Sequence, residues 1–417
     1  MNEKAFLEQF KNKFSSIEQK LLDMAELAAL NSSVKLYLVG GPVRDLLLGK
    51  LNHDLDFLIE GEIDLFIQEF NKITNSEPIN SSQFKTFKYN LYENEIDIAL
   101  ARTEIYPHPG SLPKITPSTI HEDLYRRDFT INALAIKLFP KPYKIIDPLN
   151  GFEELKNKSI KIIHDKSFQD DPTRIFRTLR YTSRLDFAID KTTHKAIKRD
   201  MQHIKDISGQ RIKNELFKFL SEPNIYKSLS YLSVYKVLKV ININFPSNIT
   251  FVQYLKKFKH INDLMIDKEI ILLGILCFNM DKSKLEDFIS EFSIPKKMCN
   301  VLFDLIKVKK KIYYSTRLKK ASSITQLFDK YQVVALQIAA TISNNQNFNN
   351  IVDKYIGNWS KVKLDYDGDQ ISQLLSIDKR KLSGIISKVR NAKIDGIVHG
   401  KSNEKEFILK LNKQLFK

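Results

Sequence analysis

The sequence predicts an α+β domain over residues 1–150 followed by an all-α remainder, on three observations. Short apolar runs crowd the first 150 residues, at 36–40, 54–60, 84–92, 95–101 and 143–146, and their length and alternation read as strands. From about residue 165 the apolar spacing lengthens to three or four and holds through 170–240 and 260–306, the period of helices. The chain has 417 residues, more than one core serves, so several domains are expected. Pro223, Pro246 and Pro295 mark candidate helix boundaries, and the divisions fall at 1–150, 151–220, 221–320 and 321–417.

Taken in order, Phe6, Phe10, Phe14, Ile17 and Leu21 recur at helical spacing, so 3–30 reads as an amphipathic helix. Glu3, Lys4, Glu8 and Lys11 lie among them, which argues against a signal peptide. The strand 36–40 ends in Gly40-Gly41, and 54–60 is a second strand, followed by a helix over 61–74. Two more strands follow at 84–92 and 95–101. The stretch Tyr106-Pro-His-Pro-Gly-Ser-Leu-Pro-Lys-Ile-Thr-Pro117 holds four prolines and reads as loop throughout. Helix formers then run from Asp123 to Ala135, and the strand Tyr143 to Ile146 leads into Asp147-Pro-Leu-Asn-Gly151.

Composition narrows the class. A net charge of +17 and a sequence pI near 9.4 favour a polyanionic partner, nucleic acid ahead of an anionic membrane. An AT-rich coding bias toward Lys, Asn and Ile explains the same numbers equally well. No apolar run is long enough for a transmembrane helix. Cys277 and Cys299 are the only cysteines and form no CxxC, so neither a disulfide framework nor a structural zinc site is expected, and a reducing cytoplasm fits.

The chemistry concentrates in residues 37–60. Gly40-Gly41 lets backbone N–H groups approach a polyphosphate, with Arg44 following on a helix-like segment. Asp54 and Asp56 then stand two apart in a strand, which sends both to one face while Leu55 and Phe57 enter the core. Two converging carboxylates suit Mg²⁺, which takes few protein oxygens and keeps positions open for substrate phosphates. Asp97, in the alternating run Glu-Ile-Asp-Ile-Ala-Leu-Ala, offers a third carboxylate from a neighbouring strand, though a surface strand Asp would look the same. Metal, phosphate cradle and Arg in one short unit point to nucleotidyl transfer. Two further runs are rich in arginine, whose planar fork suits phosphate. One is Asp123-Leu-Tyr-Arg-Arg-Asp-Phe-Thr-Ile-Asn132, with Arg126 and Arg127. The other is Asp171-Pro-Thr-Arg-Ile-Phe-Arg-Thr-Leu-Arg180, where Arg174, Arg177 and Arg180 fall three apart as one basic helical stripe with Ile175, Phe176 and Leu179 towards the other side. An Asp accepting from an exocyclic amine and an Arg donating to ring acceptors can read a Watson–Crick edge. A plain amphipathic helix with a charged face fits that run too.

Gly-Gly-x-Val-Arg-Asp followed by Asp-x-Asp resembles the signature of the tRNA nucleotidyltransferase and poly(A) polymerase family of the DNA polymerase β superfamily. Arg-Arg-Asp-Phe-Thr-Ile-Asn matches that family's second motif. Asp171 to Arg174 is similar to its Glu/Asp-Asp-x-x-Arg motif, with which class II members select CTP and ATP by protein side chains. Gln210-Arg211-Ile-Lys-Asn-Glu215-Leu resembles Glu-Arg-x-x-x-Glu-Leu, with Gln210 departing from the usual Glu, and implies Arg211 and Glu215 as a structural pair below the pocket. Leu364 to Gly396 resembles the family's C-terminal domain more faintly.

The resemblance implies a polymerase β-like head (1–150), a helical neck with the base-selecting motif (151–220), a helical body (221–320) and a helical, tRNA-binding tail (321–417). It implies Asp54, Asp56 and Asp97 as catalytic residues, the first two holding Mg²⁺. Gly41, Arg44, Arg127, Asp171, Arg174, Arg177 and Arg180 become nucleotide contacts, and Asn132 a sugar or structural contact. The implied reaction adds C and A to the 3′ end of tRNA from CTP and ATP, releasing pyrophosphate. Full CCA addition is the expected product; CC-only, A-only and poly(A) products share the motifs. The 106–117 segment falls where the family has a flexible loop. An inactive RNA-binding protein of the same fold would be expected to lose Asp54 or Asp56, and a small-molecule nucleotidyltransferase needs no long basic helical region. His53-Asp54 and His164-Asp165 resemble metal phosphohydrolase dipeptides, but the eight histidines are scattered. Lys307 to Lys320 interleaves seven basic residues with Tyr313 and Tyr314, as an RNA-backbone grip or a solvated helix face would.

Overall fold

A computed structural model describes residues 3–50, 54–108, 110–257, 267–377 and 382–415, with side chains between positions 6 and 411; His53 and Pro109 lie outside the described residues. The chain divides into two compact units, 1–232 and 233–417.

The first unit is built on a seven-stranded mixed sheet. Its strands, in chain order, are β1 (Lys35–Val39), β2 (Leu55–Glu60), β3 (Asn80–Ser82), β4 (Thr86–Leu91) and β5 (Asn94–Leu100). A separate two-stranded hairpin, β6 (Arg102–Ile105) and β7 (Lys114–Pro117), precedes β8 (Ala135–Phe139) and β9 (Lys144–Ile146). The sheet order is β3-β4-β5-β2-β1-β8-β9, and β2 and β5 are its only parallel pair. The helices Ser16–Ser32 and Ile63–Thr74 pack together against one face. The first begins in a capping box: the Glu18 N–H donates to the Ser15 hydroxyl, and the Ser15 N–H donates to the Glu18 carboxylate. On the other face Tyr37, Val39, Leu58 and Ala135 form a core with Ile120 and Leu124 of the helix Ile120–Tyr125. Asp56 lies two residues before Leu58 and so shares this second face, while Leu55 and Phe57 are buried towards the first, as the alternation requires.

Several expectations change. The proline-dense stretch is not loop throughout, because Lys114–Pro117 pairs with Arg102–Ile105 as β7. Prolines stand on edge strands without loss, since only the outward N–H is missing. The helix expected over Asp123–Ala135 stops at Tyr125; a 3₁₀ turn at Thr130–Asn132 and β8 replace the rest. Ala133, Leu134, Ala135 and Ile136 are fully buried, so core position overrides their helix propensity. The N-terminal helix is two, Glu3–Glu8 and Ser16–Ser32, joined by a turn that still buries Phe10 and Phe14. A short parallel pair, β10 (Ser159–Ile160) with β11 (Ala188–Ile189), interrupts the expected run of helices.

The second unit is helical among the described residues. Its helix Lys268–Cys277 is buried on every side from Ile270 to Cys277. Gly274 permits the close approach of Ile338: a Cβ there would meet the Ile338 side chain at 3.0 Å. Further on, Ile371, Leu375, Ile385, Val389 and Ile408 gather into another apolar cluster. Among the described residues no helix is long and apolar enough to cross a membrane.

Candidate active site

An open cleft of about 570 Å³ in the first unit brings together three runs distant in sequence: Gly40–Asp45 with Asp54 and Asp56, Arg126–Asn132, and Asp171–Arg184. Its acidic part rests on sheet register. Asp56 on β2 stands directly beside Asp97 on the parallel β5. Burial, then the charges of Asp97 and Asp54, push the Asp56 carboxyl up to about 6, against the opposing pull of Arg127 and Lys88. Asp97 is itself held by Lys88 of β4, which donates to both of its oxygens at 2.8 and 2.7 Å. Such a set is short of positive charge and suits a divalent ion that takes two carboxylates and leaves positions open. Among the described residues no three His, Cys, Asp or Glu side chains are grouped so as to hold a metal ion, so the carboxylates count here as a pair, Asp54 and Asp56.

The glycine step abuts the arginine part of the cleft. Gly40 has φ +73°, and a Cβ on it would lie 2.9 Å from the Arg127 guanidinium and 3.9 Å from Asp56. Only glycine allows both that backbone and that contact. Arg127 and Arg126 are both fixed by Asp123, which is fully buried. Burial alone would raise the Asp123 carboxyl, but the two guanidinium groups outweigh it and hold the group below the usual carboxylate range. A chain of bonds then crosses the cleft floor. Arg177 donates to Asp128 at 2.7 Å, Asn132 donates to Asp128 at 3.0 Å, and Arg44 donates to Asn132 at 2.7 Å and to Asp45 at 2.9 Å. Arg44 is only 3% exposed, so it braces the cleft from beneath.

The helix Thr173–Leu185 carries the remaining expected contacts. Asp171 sits before its first turn and accepts from the Thr173 N–H at 3.1 Å, the Thr173 hydroxyl at 2.7 Å and Arg211 at 3.0 Å. Arg174 is buried and donates to the Ser167 hydroxyl at 2.8 Å and the Arg126 carbonyl at 2.7 Å. Gly41, Asp171, Arg174 and Arg177 line the cleft, but Arg180 does not. The expected single stripe is therefore corrected. A residue three further on turns by 300°, not 360°, so the row drifts round the helix, and Arg180 ends up enclosed between Glu222 at 3.2 Å and Glu215 at 3.6 Å. Arg211 and Glu215 are not paired with each other either. Arg211 joins Asp171 to the Gly110 carbonyl, and Glu215 takes Lys218 at 2.6 Å. Sequence reasoning missed Tyr181, Arg184, Tyr106 and Glu104 in the cleft wall, and the fully buried Glu222 behind it. Arg184 lies one helical turn beyond the end of the Asp171–Arg180 run, and continuing its helical period past Arg180 was the usable signal.

Residues 36–161 match the family described as "Poly A polymerase head domain", and residues 186–245 match "Probable RNA and SrmB- binding site of polymerase A". The chain is 34% identical over 273 residues to the A-adding tRNA nucleotidyltransferase of Aquifex aeolicus, covering 63% of this chain and 33% of that protein. It is 39% identical over 220 residues to the A-adding tRNA nucleotidyltransferase of Halalkalibacterium halodurans, covering 51% of each. The chain thus spans between a third and a half of the length of these curated relatives. Its fold superposes on a solved CCA-adding enzyme in an apo form with TM-score 0.83 and 26% identity, over 97% of this chain and 98% of that one. Head model, RNA-binding model and full-length structural likeness agree in supporting the tRNA nucleotidyltransferase and poly(A) polymerase family as the one this chain resembles.

Proposed function

We propose that this chain completes the CCA end of tRNA, transferring CMP and AMP from CTP and ATP and releasing pyrophosphate. The observation that carries the reading is that Asp54 and Asp56, Gly40 with the neighbouring Arg127, and Asp171, Arg174 and Arg177 all line one cleft. Within it, Asp54 and Asp56 would hold Mg²⁺, with Asp97 on the neighbouring strand as the third carboxylate. An ion held by these carboxylates would supply a lowered pKa for the attacking RNA hydroxyl and neutralisation of charge on the leaving pyrophosphate. Arg127 and Arg177 receive the triphosphate, and Gly40-Gly41 lets it approach the backbone. Asp171 and Arg174 present donors and acceptors to the incoming base, so selection needs no nucleic-acid template. No covalent intermediate is required, and rate enhancement rests on positioning and charge stabilisation. We keep the division into head, neck, body and tail at 150, 220 and 320 as part of this proposal, with tRNA held by the helical region beyond 220. A reducing cytoplasm suits the unpaired Cys277 and Cys299.

A-only addition is the second reading, favoured by the A-adding relatives at 34% and 39% identity. Three tRNA substrates separate the two: one lacking CCA, one ending in CC and one complete, each given CTP and ATP singly and together. CCA addition predicts C incorporation into the first, A into the second and none into the third. Incorporation into the CC-ended tRNA alone would establish the A-only reading.

A further inference from the structure

Tyr181 stands among three arginines of the cleft. The guanidinium carbons of Arg44, Arg177 and Arg184 lie 5.2, 5.5 and 5.5 Å from its ring centroid. Phe129 meets the ring nearly edge-on at 5.7 Å and fixes its plane. The Tyr181 hydroxyl accepts from Arg177 at 3.4 Å, a long contact. Arg177 and Arg184 flank Tyr181 by four and three residues on one helix, so ordinary helical geometry brings them over it, whereas Arg44 arrives from the helix Gly41–Leu47. Three like charges this close repel. Each is anchored away from the ring by a carboxylate, Arg44 by Asp45 at 2.9 Å, Arg177 by Asp128 at 2.6 Å and Arg184 by Glu222 at 2.8 Å. The aromatic face adds a cation–π attraction that uses none of the remaining guanidinium N–H donors, so these stay directed at an anionic ligand in the cleft.

We propose that Tyr181 is a positioning residue whose ring holds Arg177 and Arg184 at the cleft wall to receive the polyphosphate of the incoming nucleotide. The proposal rests on the nucleotidyl-transfer reading above. It assigns the effect to the ring face, with the hydroxyl secondary, and it predicts an effect common to every nucleotide because phosphate carries no base identity.

The test compares full-length wild type with Tyr181→Phe, Tyr181→Leu and Tyr181→Met, the last keeping volume in case Leu impairs folding. KM and kcat are measured for CTP and ATP, with tRNA affinity, melting temperature and competitive inhibition by pyrophosphate alone. Tyr181→Phe is expected to stay within about twofold of wild type. Loss of the ring is expected to raise both nucleotide KM values roughly tenfold, about one desolvated cation–π contact. Pyrophosphate inhibition weakens in step, while kcat and tRNA affinity hold. Unchanged KM values in both ring-less variants would overturn the proposal. So would Phe behaving like Leu, or a loss of tRNA affinity and melting temperature matching the loss in KM. If wild type itself incorporates neither CMP nor AMP, the underlying reading fails; if wild type incorporates them and the variants match it, only the role of Tyr181 fails.

Discussion

At the scale of single residues, Asp56 carries the strongest like-charge conflict in the cleft. Its carboxyl, pushed up to about 6 by burial and by Asp97 and Asp54, is charged at neutral pH at a cost to folding. Asp56→Asn removes that charge and keeps the shape. The variant is expected to be more stable than wild type at pH 7 without added metal, by roughly 1–3 kcal/mol, and to lose nucleotide transfer by several orders of magnitude. Denaturant melts and a transfer assay check the two halves, and a destabilised or active variant would contradict the account. Asp171 presents the opposite case, since one of its oxygens already serves Thr173 and Arg211. Asp171→Ala is expected to erode the preference for CTP and ATP over UTP and GTP by ~1–3 kcal/mol with tRNA affinity intact. Competition assays with the four nucleotides read that directly. A collapse of tRNA affinity with discrimination unchanged would assign the residue to the RNA instead.

Among the elements, the helix Thr173–Leu185 shows what pattern reveals and what it hides. Its helical period and its arginines are legible in sequence. Their use is not, because the groups that absorb Arg174, Arg177 and Arg180 come from Ser167, Arg126, Asp128, Glu215 and Glu222, up to 49 residues away in the chain. Strand register was more transparent. Alternation alone put Asp54 and Asp56 on one face and sent Leu55 and Phe57 inward, whereas the Asp56–Asp97 pairing needed the parallel β2–β5 contact. β8 was hidden for a different reason: the run Ala133-Leu134-Ala135 at its start favours helix locally, and burial in the sheet decides otherwise.

The Arg177–Asp128 pair yields a pH prediction. Burial opposes the Asp128 charge, but Arg177 and Asn132 outweigh it and keep its folded pKa below the ordinary carboxylate value. Its stabilisation is therefore fully present above the unfolded value of about 4 and is lost as pH falls through the lower folded value. Asp128→Asn leaves Arg177 without its partner and is expected to cost roughly 2–4 kcal/mol at pH 7, with the difference from wild type shrinking in acid. Urea melts between pH 7 and pH 3 test this; a constant difference across that range would show that the ion pair is not its source.

For the whole molecule, the sequence-level division into an α+β part and a helical part agrees with the two architectures observed, and the motif spacing led to the family. The placement of partners within the helical unit had no such signal. The helix Lys296–Ser315 and the residues after it illustrate this. Lys309 turns inward to the Phe278 carbonyl and Asn279, while Lys310, Lys311, Lys319 and Lys320 are exposed beside Tyr313 and Tyr314. If this surface grips RNA phosphates, replacing those four exposed lysines with Ala should lower the salt slope of tRNA binding by about 3 and weaken binding for all tRNA sequences alike. An unchanged slope would make the segment an ordinary solvated face.

In the proposed reaction, protein side chains in one cleft choose the bases added to RNA. Its most direct test is to incubate the full-length protein and Mg²⁺ with a tRNA transcript lacking its last three nucleotides and all four nucleoside triphosphates at equal concentration, and to sequence the 3′ ends. The expected ends read CCA and stop there. Ends carrying U or G, a continuing run of A, or a transcript left unextended would contradict the proposal.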